Sequence, residues 1–186
     1  GDYAYGGAAG HSATLDFMTI YSSHIADYIC QGVHADDYEH PLKGMHIVVD
    51  AGNGGGGFFE RILSQLGADT KGSQFLDPDG RFPNHIPNPE NDEAMASVCR
   101  AVADSNADLG VIFDTDVDRS AIIGRNGEPI NRNALIALIA SVILEEHPHS
   151  TIVTDSVTSD GLTDFISRKG GRHHRYRRGY KNVINE

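Results

Sequence analysis

The chain has no tryptophan, only two cysteines and no apolar run long enough to cross a bilayer. Cys30 and Cys99 stand alone without CxxC spacing, which is typical of a reduced cytoplasmic protein rather than a disulfide-stabilised scaffold. The longest apolar run, residues 134–144, spans eleven residues, whereas a transmembrane helix needs about 20. We therefore expect a cytoplasmic protein that has no membrane partner.

Positive charge is scarce and unevenly distributed. The chain has 15 basic and 26 acidic residues, for a formal net charge of −11, yet residues 168–186 hold seven of the basic residues and one acid. An acidic body argues against a nucleic-acid partner, and a concentrated basic end favours one local anionic ligand, with phosphate as the first candidate. The ten histidines show no HExxH or comparable spacing, so we do not predict them as metal ligands.

One acidic stretch follows a short apolar run. Residues 109–113 read LGVIF, and Asp114, Asp116, Asp118 and Arg119 come directly after them. Carboxylates at every second position of a loop that leaves a strand can turn toward one point, and hard cations such as Mg²⁺ prefer oxygen ligands. The alternative is a solvated acidic turn, since Asp is common in turns. A second apolar segment, residues 120–124, follows and favours the metal site.

Helical and strand patterns alternate along the chain. Three- and four-residue apolar spacing predicts a helix after Asp16, and glycine, proline and Asn-Gly signals separate the later elements. Residues 77–91 hold four of the seven prolines, so we expect a shaped loop there. The predicted strands are 45–49, 109–113, 120–124 and 151–154, and the predicted helices include 58–66, 90–103, 134–144, which Asn131 or Asn133 caps, and 162–167.

This alternation predicts an α/β fold. We expect a layered α/β/α domain with a mixed sheet, followed by an incomplete second α/β domain, because the last β-α unit has no partner strand after it to bury both faces. The expected division is a lead-in and N-terminal helix at 1–37, the first domain with the acidic loop at 38–145, and the start of the second domain at 146–186.

A glycine-rich turn raises a second possible ligand. Gly52, Gly54 and Gly57 satisfy the GxGxxG pattern of dinucleotide-binding proteins. Four consecutive glycines make this match nearly automatic, and no second strand ending in an acid follows about twenty residues later. We therefore disfavour a dinucleotide site and attribute the glycines to a tight turn and close packing.

Taken together, these segments resemble the α-D-phosphohexomutases, the phosphoglucomutase and phosphomannomutase superfamily. Its magnesium loop has the form DxDxDR, which here is DTDVDR at residues 114–119, with threonine and valine where glycines are usual; this departure stiffens the loop but leaves the ligands. The other similar segments, in family order, are LDFMTIYSSHI, VVDAGNGGGG, DGRFPNHIPNPEN, TDSVTSDGLTDFI and RRGYKNVI.

The resemblance implies a fragment that covers domain II and the start of domain III of such a mutase. The parent enzyme would interconvert hexose 1-phosphate and 6-phosphate through a phosphoserine and a bisphosphate intermediate. Asp114, Asp116 and Asp118 would hold Mg²⁺, Arg119 would be catalytic, and the substrate-binding candidates are Arg177, Arg178 and Lys181. The catalytic serine belongs to domain I, which is missing with domain IV, so we expect the fragment alone to be inactive.

Three other interpretations remain open. In a haloacid-dehalogenase-like phosphatase Asp114 would be the nucleophile and Asp116 the acid, but that pattern has Thr or Val where Asp118 stands. A calcium-binding EF-hand loop needs glycine and glutamate where this chain has Arg119 and Arg125. The third is a non-catalytic metal- or phosphosugar-binding module on the same fold.

Overall fold

The computed structural model describes residues 10–186, so most of the predicted lead-in, residues 1–9, lies outside the described part of the chain. Within residues 10–186, the predicted helices and strands occur in the predicted order, and one further strand and one short helix follow them. The elements are α1 (Phe17–Val33), β1 (Ile47–Asp50), α2 (Phe58–Gln65), α3 (Asp92–Ser105), β2 (Leu109–Phe113), β3 (Ser120–Gly124), α4 (Arg132–Glu146), β4 (Thr151–Asp155), α5 (Asp160–Arg168), β5 (Arg172–Tyr176) and α6 (Tyr180–Ile184).

The first sheet has three strands in the order β1-β2-β3. β1 pairs with β2 in parallel, with Asp50 opposite Ile112. β2 pairs with β3 antiparallel, with Phe113 opposite Ser120. The sheet is therefore mixed, as predicted, and the carboxyl end of β1 lies beside the end of β2 that leads into the acidic loop.

Helices cover both faces of this sheet. Alternate residues of β1 and β2 point to opposite faces, so Val48 and Ile112 pack in the core beneath α3, while Val49 and Val111 pack in the core formed with α1 and α2. All four residues of β1 are buried. This confirms the expected α/β/α layering.

The second unit is smaller. β4 and β5 form a parallel two-stranded sheet, and the core above it joins Ala140 and Leu144 of α4 to Leu162 and Ile166 of α5. The packing of α4 thus differs from the expected division after residue 145, which grouped α4 with the first sheet. The sequence of α4 is apolar on all sides, so periodicity alone does not show which neighbour it packs against.

The helix ends use the expected caps. The Asp16 carboxylate accepts a hydrogen bond from the Thr19 amide at 3.2 Å, and the Asn131 side chain accepts one from the Asn133 amide at 2.8 Å. These bonds satisfy amides of the first helical turn that have no intrahelical acceptor. In residues 10–186, no helix combines the length and the apolar character that a membrane span requires.

Candidate metal and anion site

The acidic loop connects β2 to β3 at the edge of the first sheet. Asp114 directly follows β2 and is fully buried. Its amide donates to the Arg119 carbonyl at 3.1 Å, which closes the loop just before β3 begins at Ser120. The antiparallel β2–β3 pairing therefore fixes both ends of a six-residue connection, residues 114–119, and the side chains between them project at the sheet edge.

The structure brings the three predicted carboxylates together. Oxygen atoms of Asp114, Asp116 and Asp118 all lie within 4.8 Å of one another. Mg²⁺ binds oxygen at about 2.0–2.1 Å in octahedral geometry, so its ligands lie about 3 Å apart when adjacent and about 4 Å apart when opposite. The carboxylates would need to close by up to about 2 Å, and Asp116 and Asp118 are exposed and have room to do so. The donor set therefore fits a hard divalent cation.

The electrostatics of the loop favour a cation between these groups. Burial raises the pKa of Asp114, but hydrogen bonds from Arg119 and Asp118 outweigh this effect and hold the pKa below its ordinary value. The pKa of Asp118 is raised, chiefly by its hydrogen bond with Asp114 and then by the negative charge of Asp116. The neighbouring carboxylates therefore disfavour the charged form of Asp118, and a bound cation would offset this repulsion.

The glycine-rich turn, residues 52–57, packs directly against the acidic loop. The Gly55 amide donates to the Thr115 carbonyl at 2.8 Å. A Cβ atom on Gly54 would lie 2.8 Å from that carbonyl oxygen, and one on Gly56 would lie 2.7 Å from the Phe113 ring. The glycines therefore let the two segments of backbone approach closely.

One loop residue adopts a backbone conformation that its side chain disfavours. Val117 has φ of +67°, in the left-handed region where a β-branched residue is a clear outlier. Its side chain packs against the first core. The resemblance places glycine here, and valine adopts this conformation at an energetic cost.

A pocket of about 390 Å³ opens beside the loop, between the two units. It is lined by three arginines, Arg119, Arg132 and Arg178, and by the acids Glu90 and Asp118 among others. Arg132 donates to Glu90 at 2.6 Å. The pKa of Glu90 is lowered chiefly by this hydrogen bond, with smaller contributions from the charges of Arg119 and Arg178. The arginines suit a phosphate, because a guanidinium group can donate two parallel hydrogen bonds to its oxygens.

The three predicted substrate contacts occupy different places. Arg178 lines the pocket beside Arg119. Arg177 is exposed and lies over the ring of Tyr176, with 5.4 Å between its guanidinium carbon and the ring centre, and Lys181 lies exposed on the short α6. Neither of these two lines the pocket, so of the three only Arg178 lies beside the acidic loop.

Sequence reasoning missed Arg132. It is the first residue of α4, where the helix dipole disfavours a positive side chain. A basic residue at that position, with no acid in the first turn, is a local signal that something outside the helix attracts it. In the structure that partner is Glu90, which lies 42 residues earlier in the chain.

Comparison with known proteins gives the family. The model of the phosphoglucomutase/phosphomannomutase alpha/beta/alpha domain II matches residues 21–127. The model of domain III of the same family matches residues 131–186. The chain belongs to the phosphoglucomutase/phosphomannomutase family. The two matches meet just before α4, in agreement with the packing of α4 on α5.

Individual relatives carry the same names. A phosphomannomutase/phosphoglucomutase of Pseudomonas syringae pv. tomato is 33% identical over 143 residues, which cover 76% of this chain and 30% of the relative. A phosphoglucomutase of Neisseria meningitidis serogroup B is 29% identical over 171 residues, 91% of this chain and 35% of the relative. The chain thus spans about a third of the length of these mutases.

A solved structure shows the same fold. A phosphoglucomutase/phosphomannomutase family protein of Burkholderia thailandensis superposes with a TM-score of 0.78 at 27% identity, over 88% of this chain and 34% of that one. The predicted resemblance is therefore confirmed. These comparisons give no support to the haloacid-dehalogenase-like interpretation.

Proposed function

We propose that this chain supplies the metal loop and part of the phosphosugar site of a phosphohexomutase, which interconverts hexose 1-phosphate and 6-phosphate. The observation that carries the proposal is the cluster of Asp114, Asp116 and Asp118 oxygens within 4.8 Å, next to a pocket lined by arginines. The family resemblance implies that the phosphoserine donor lies in a domain outside the third of the mutase that this chain matches. It also implies that the reaction passes through a bisphosphate intermediate.

In this proposal the three aspartates hold Mg²⁺. A bound Mg²⁺ supplies positive charge that stabilises a transferring phosphoryl group. Asp114 is already oriented for this role, because its two oxygens accept hydrogen bonds from the Arg119 amide and Nε, both at 3.0 Å. Asp116 and Asp118 are free to adjust because they are exposed.

The arginines would bind and orient the phosphosugar. Arg119 Nε faces Asp114, while its Nη1 donates to Asn88 at 3.3 Å, so the guanidinium group is held at the pocket wall. Arg178 approaches from the second unit, and Arg132 approaches from the start of α4. Three cations on two units can hold one phosphate dianion between them, which would also fix the two units relative to each other. Arg177 and Lys181 would act only on a ligand that extends beyond the pocket.

A chimera tests this function. Residues 21–186 would replace the homologous segment of the Pseudomonas syringae relative. Interconversion of the 1- and 6-phosphates of glucose, and separately of mannose, would be measured with and without Mg²⁺. We expect Mg²⁺-dependent turnover that falls at least about 100-fold in D116N/D118N, because a catalytic metal contributes several kcal/mol. The matched control D164N removes an exposed acid of α5 and should keep full activity. A folded chimera that binds Mg²⁺ and phosphosugar without turnover would indicate a binding module instead.

A further inference from the structure

A buried, hydrogen-bonded pair of side chains, Asp50 and His85, takes no part in the function proposed above. His85 Nε2 lies 3.1 Å from each carboxylate oxygen of Asp50. The side chains are 1% and 0% exposed. Asp50 also accepts hydrogen bonds from the Gly52 amide at 2.9 Å and from Gln74 Nε2 at 2.7 Å. A carboxylate taken fully out of water is tolerated only when it is paired and hydrogen-bonded, so this arrangement has a structural purpose.

The pair joins two segments that are distant in sequence. Asp50 is the last residue of β1, and His85 belongs to the proline-rich loop 77–91, which contains no helix or strand. The loop lies directly on the glycine-rich turn, because a Cβ atom on Gly52 would be 2.8 Å from Pro87 Cβ and 2.9 Å from His85 Cε1. His85 is thus the buried anchor of a loop that lacks a regular hydrogen-bonding pattern.

The same loop presents acceptors to the pocket arginines shortly after His85. Asn88 Oδ1 accepts from Arg119 Nη1 at 3.3 Å and from the Glu90 amide at 3.0 Å. Glu90 in turn accepts from Arg132 at 2.6 Å. Two neighbouring loop residues therefore hold two guanidinium groups, one from the acidic loop and one from α4.

We propose that the Asp50–His85 pair is a positioning element, which fixes the loop 77–91 so that Asn88 and Glu90 orient Arg119 and Arg132 toward an anion. His85 acts through these residues and does not itself face the ligand. The inference rests on the proposed function only for the identity of that ligand, since the orientation of the arginines is measurable without one.

The test compares H85Q with H85N, two amide variants of similar polarity but different length. The amide nitrogen of Gln can occupy the place of His85 Nε2 and donate to Asp50, whereas the shorter Asn cannot reach it. We expect the {¹H}-¹⁵N NOE of the Arg119 and Arg132 Nε–Hε groups to fall in H85N toward that of exposed Arg100. In H85Q both groups should keep wild-type values. The control I166A disturbs the second core, which includes α4, so it should leave the NOE of Arg119 at its wild-type value even at the same loss of stability as H85N.

Binding of inorganic phosphate to the whole chain is the second readout. We expect its Kd to rise about three- to tenfold in H85N and to recover in H85Q. Wild-type NOE values in folded H85N would overturn the proposal, and so would equal loosening in H85N and H85Q. If the arginines loosen as expected but wild-type protein binds no phosphate, the positioning stands and the proposed function fails.

A third variant keeps the test decisive if H85N does not fold. N88A leaves the buried pair intact and removes the acceptor that Arg119 Nη1 shares with the Glu90 amide. The NOE of Arg119 should then fall, while that of Arg132, which Glu90 holds, should stay. An unchanged Arg119 in N88A would contradict the proposed chain of contacts.

Discussion

Arg119 binds Asp114 twice. Its backbone amide donates to Oδ1 and its Nε to Oδ2, both at 3.0 Å, and the carboxylate between them is buried. One of the three proposed metal ligands is therefore part of the folded structure before any cation binds. The other two, Asp116 and Asp118, are exposed.

Because of this difference, we expect D114N and D118N, which each remove one negative charge, to change the stability of the metal-free protein differently. D114N replaces a charged acceptor by an amide whose NH₂ group would face a donor, so we expect a loss of about 1–2 kcal/mol in the free energy of unfolding. D118N removes a charge that Asp114 and Asp116 repel, so it should be neutral or slightly stabilising. Urea unfolding in EDTA measures both. Equal losses in the two variants would mean that Asp114 has no special structural role.

Val117 provides a test of backbone strain in the acidic loop. Its φ of +67° costs an L-residue about 1–2 kcal/mol relative to glycine. V117G and V117A both remove the packed side chain, but only V117G relieves the strain. We expect V117G to be more stable than V117A by about 1 kcal/mol in chemical unfolding. A V117A variant as stable as V117G would show that the loop relaxes to another conformation.

The four consecutive glycines are not equivalent. A Cβ atom on Gly57 would overlap the Leu76 carbonyl, whereas one on Gly55 would be 3.5 Å from its nearest neighbour, the Thr115 oxygen. We expect G57A to lose about 2–4 kcal/mol of unfolding free energy and G55A to lose under about 1 kcal/mol. Thermal unfolding of both variants measures this. Similar stability of the two would contradict the close approach at Gly57.

Much of the fold is visible in the sequence, because its elements carry local signals. Asp16 precedes a run with helical periodicity, and Asn126-Gly127 separates two strand-like runs. The acidic loop is also local, since Asp114, Asp116 and Asp118 lie within five residues. The sequence therefore predicts well those elements and motifs whose determining residues lie close together along the chain.

The features that sequence reasoning missed depend on contacts between distant residues. Asp50 and His85 are 35 residues apart, and nothing in the sequence near either residue shows that the other will be its hydrogen-bond partner. Arg132 meets Glu90 only because the second unit packs against the loop 77–91. The packing of α4 on α5 rather than on the first sheet also depends on tertiary contacts. The sequence of α4 is apolar on all sides and does not show which neighbour the helix packs against.

His173 makes the second unit sensitive to acid. Its ring nitrogens lie 2.7 Å from the hydroxyl oxygens of Thr154 and Thr163, and burial, with a smaller effect of the Arg175 charge, lowers its pKa below the ordinary 6.5. The unfolded chain therefore binds a proton at higher pH than the folded one, so stability falls as the pH drops below about 6.5.

NMR titration of the His173 Hε1 signal should show the lowered pKa directly. The variant H173Q keeps hydrogen-bonding groups but cannot titrate, so it should lose less stability than the wild type between pH 7 and pH 5. An ordinary titration of His173, or the same acid loss in H173Q, would contradict this explanation.

The central claim is that the acidic loop binds a divalent cation, and calorimetric titration of the 186-residue chain with Mg²⁺ tests it most directly. We predict one binding site whose affinity falls at least about tenfold in D116N/D118N, which retains the buried Asp114, and is unchanged in D164N. Wild-type binding in D116N/D118N would place the cation elsewhere. An absence of binding in the wild-type chain would contradict a metal site formed by these three aspartates alone.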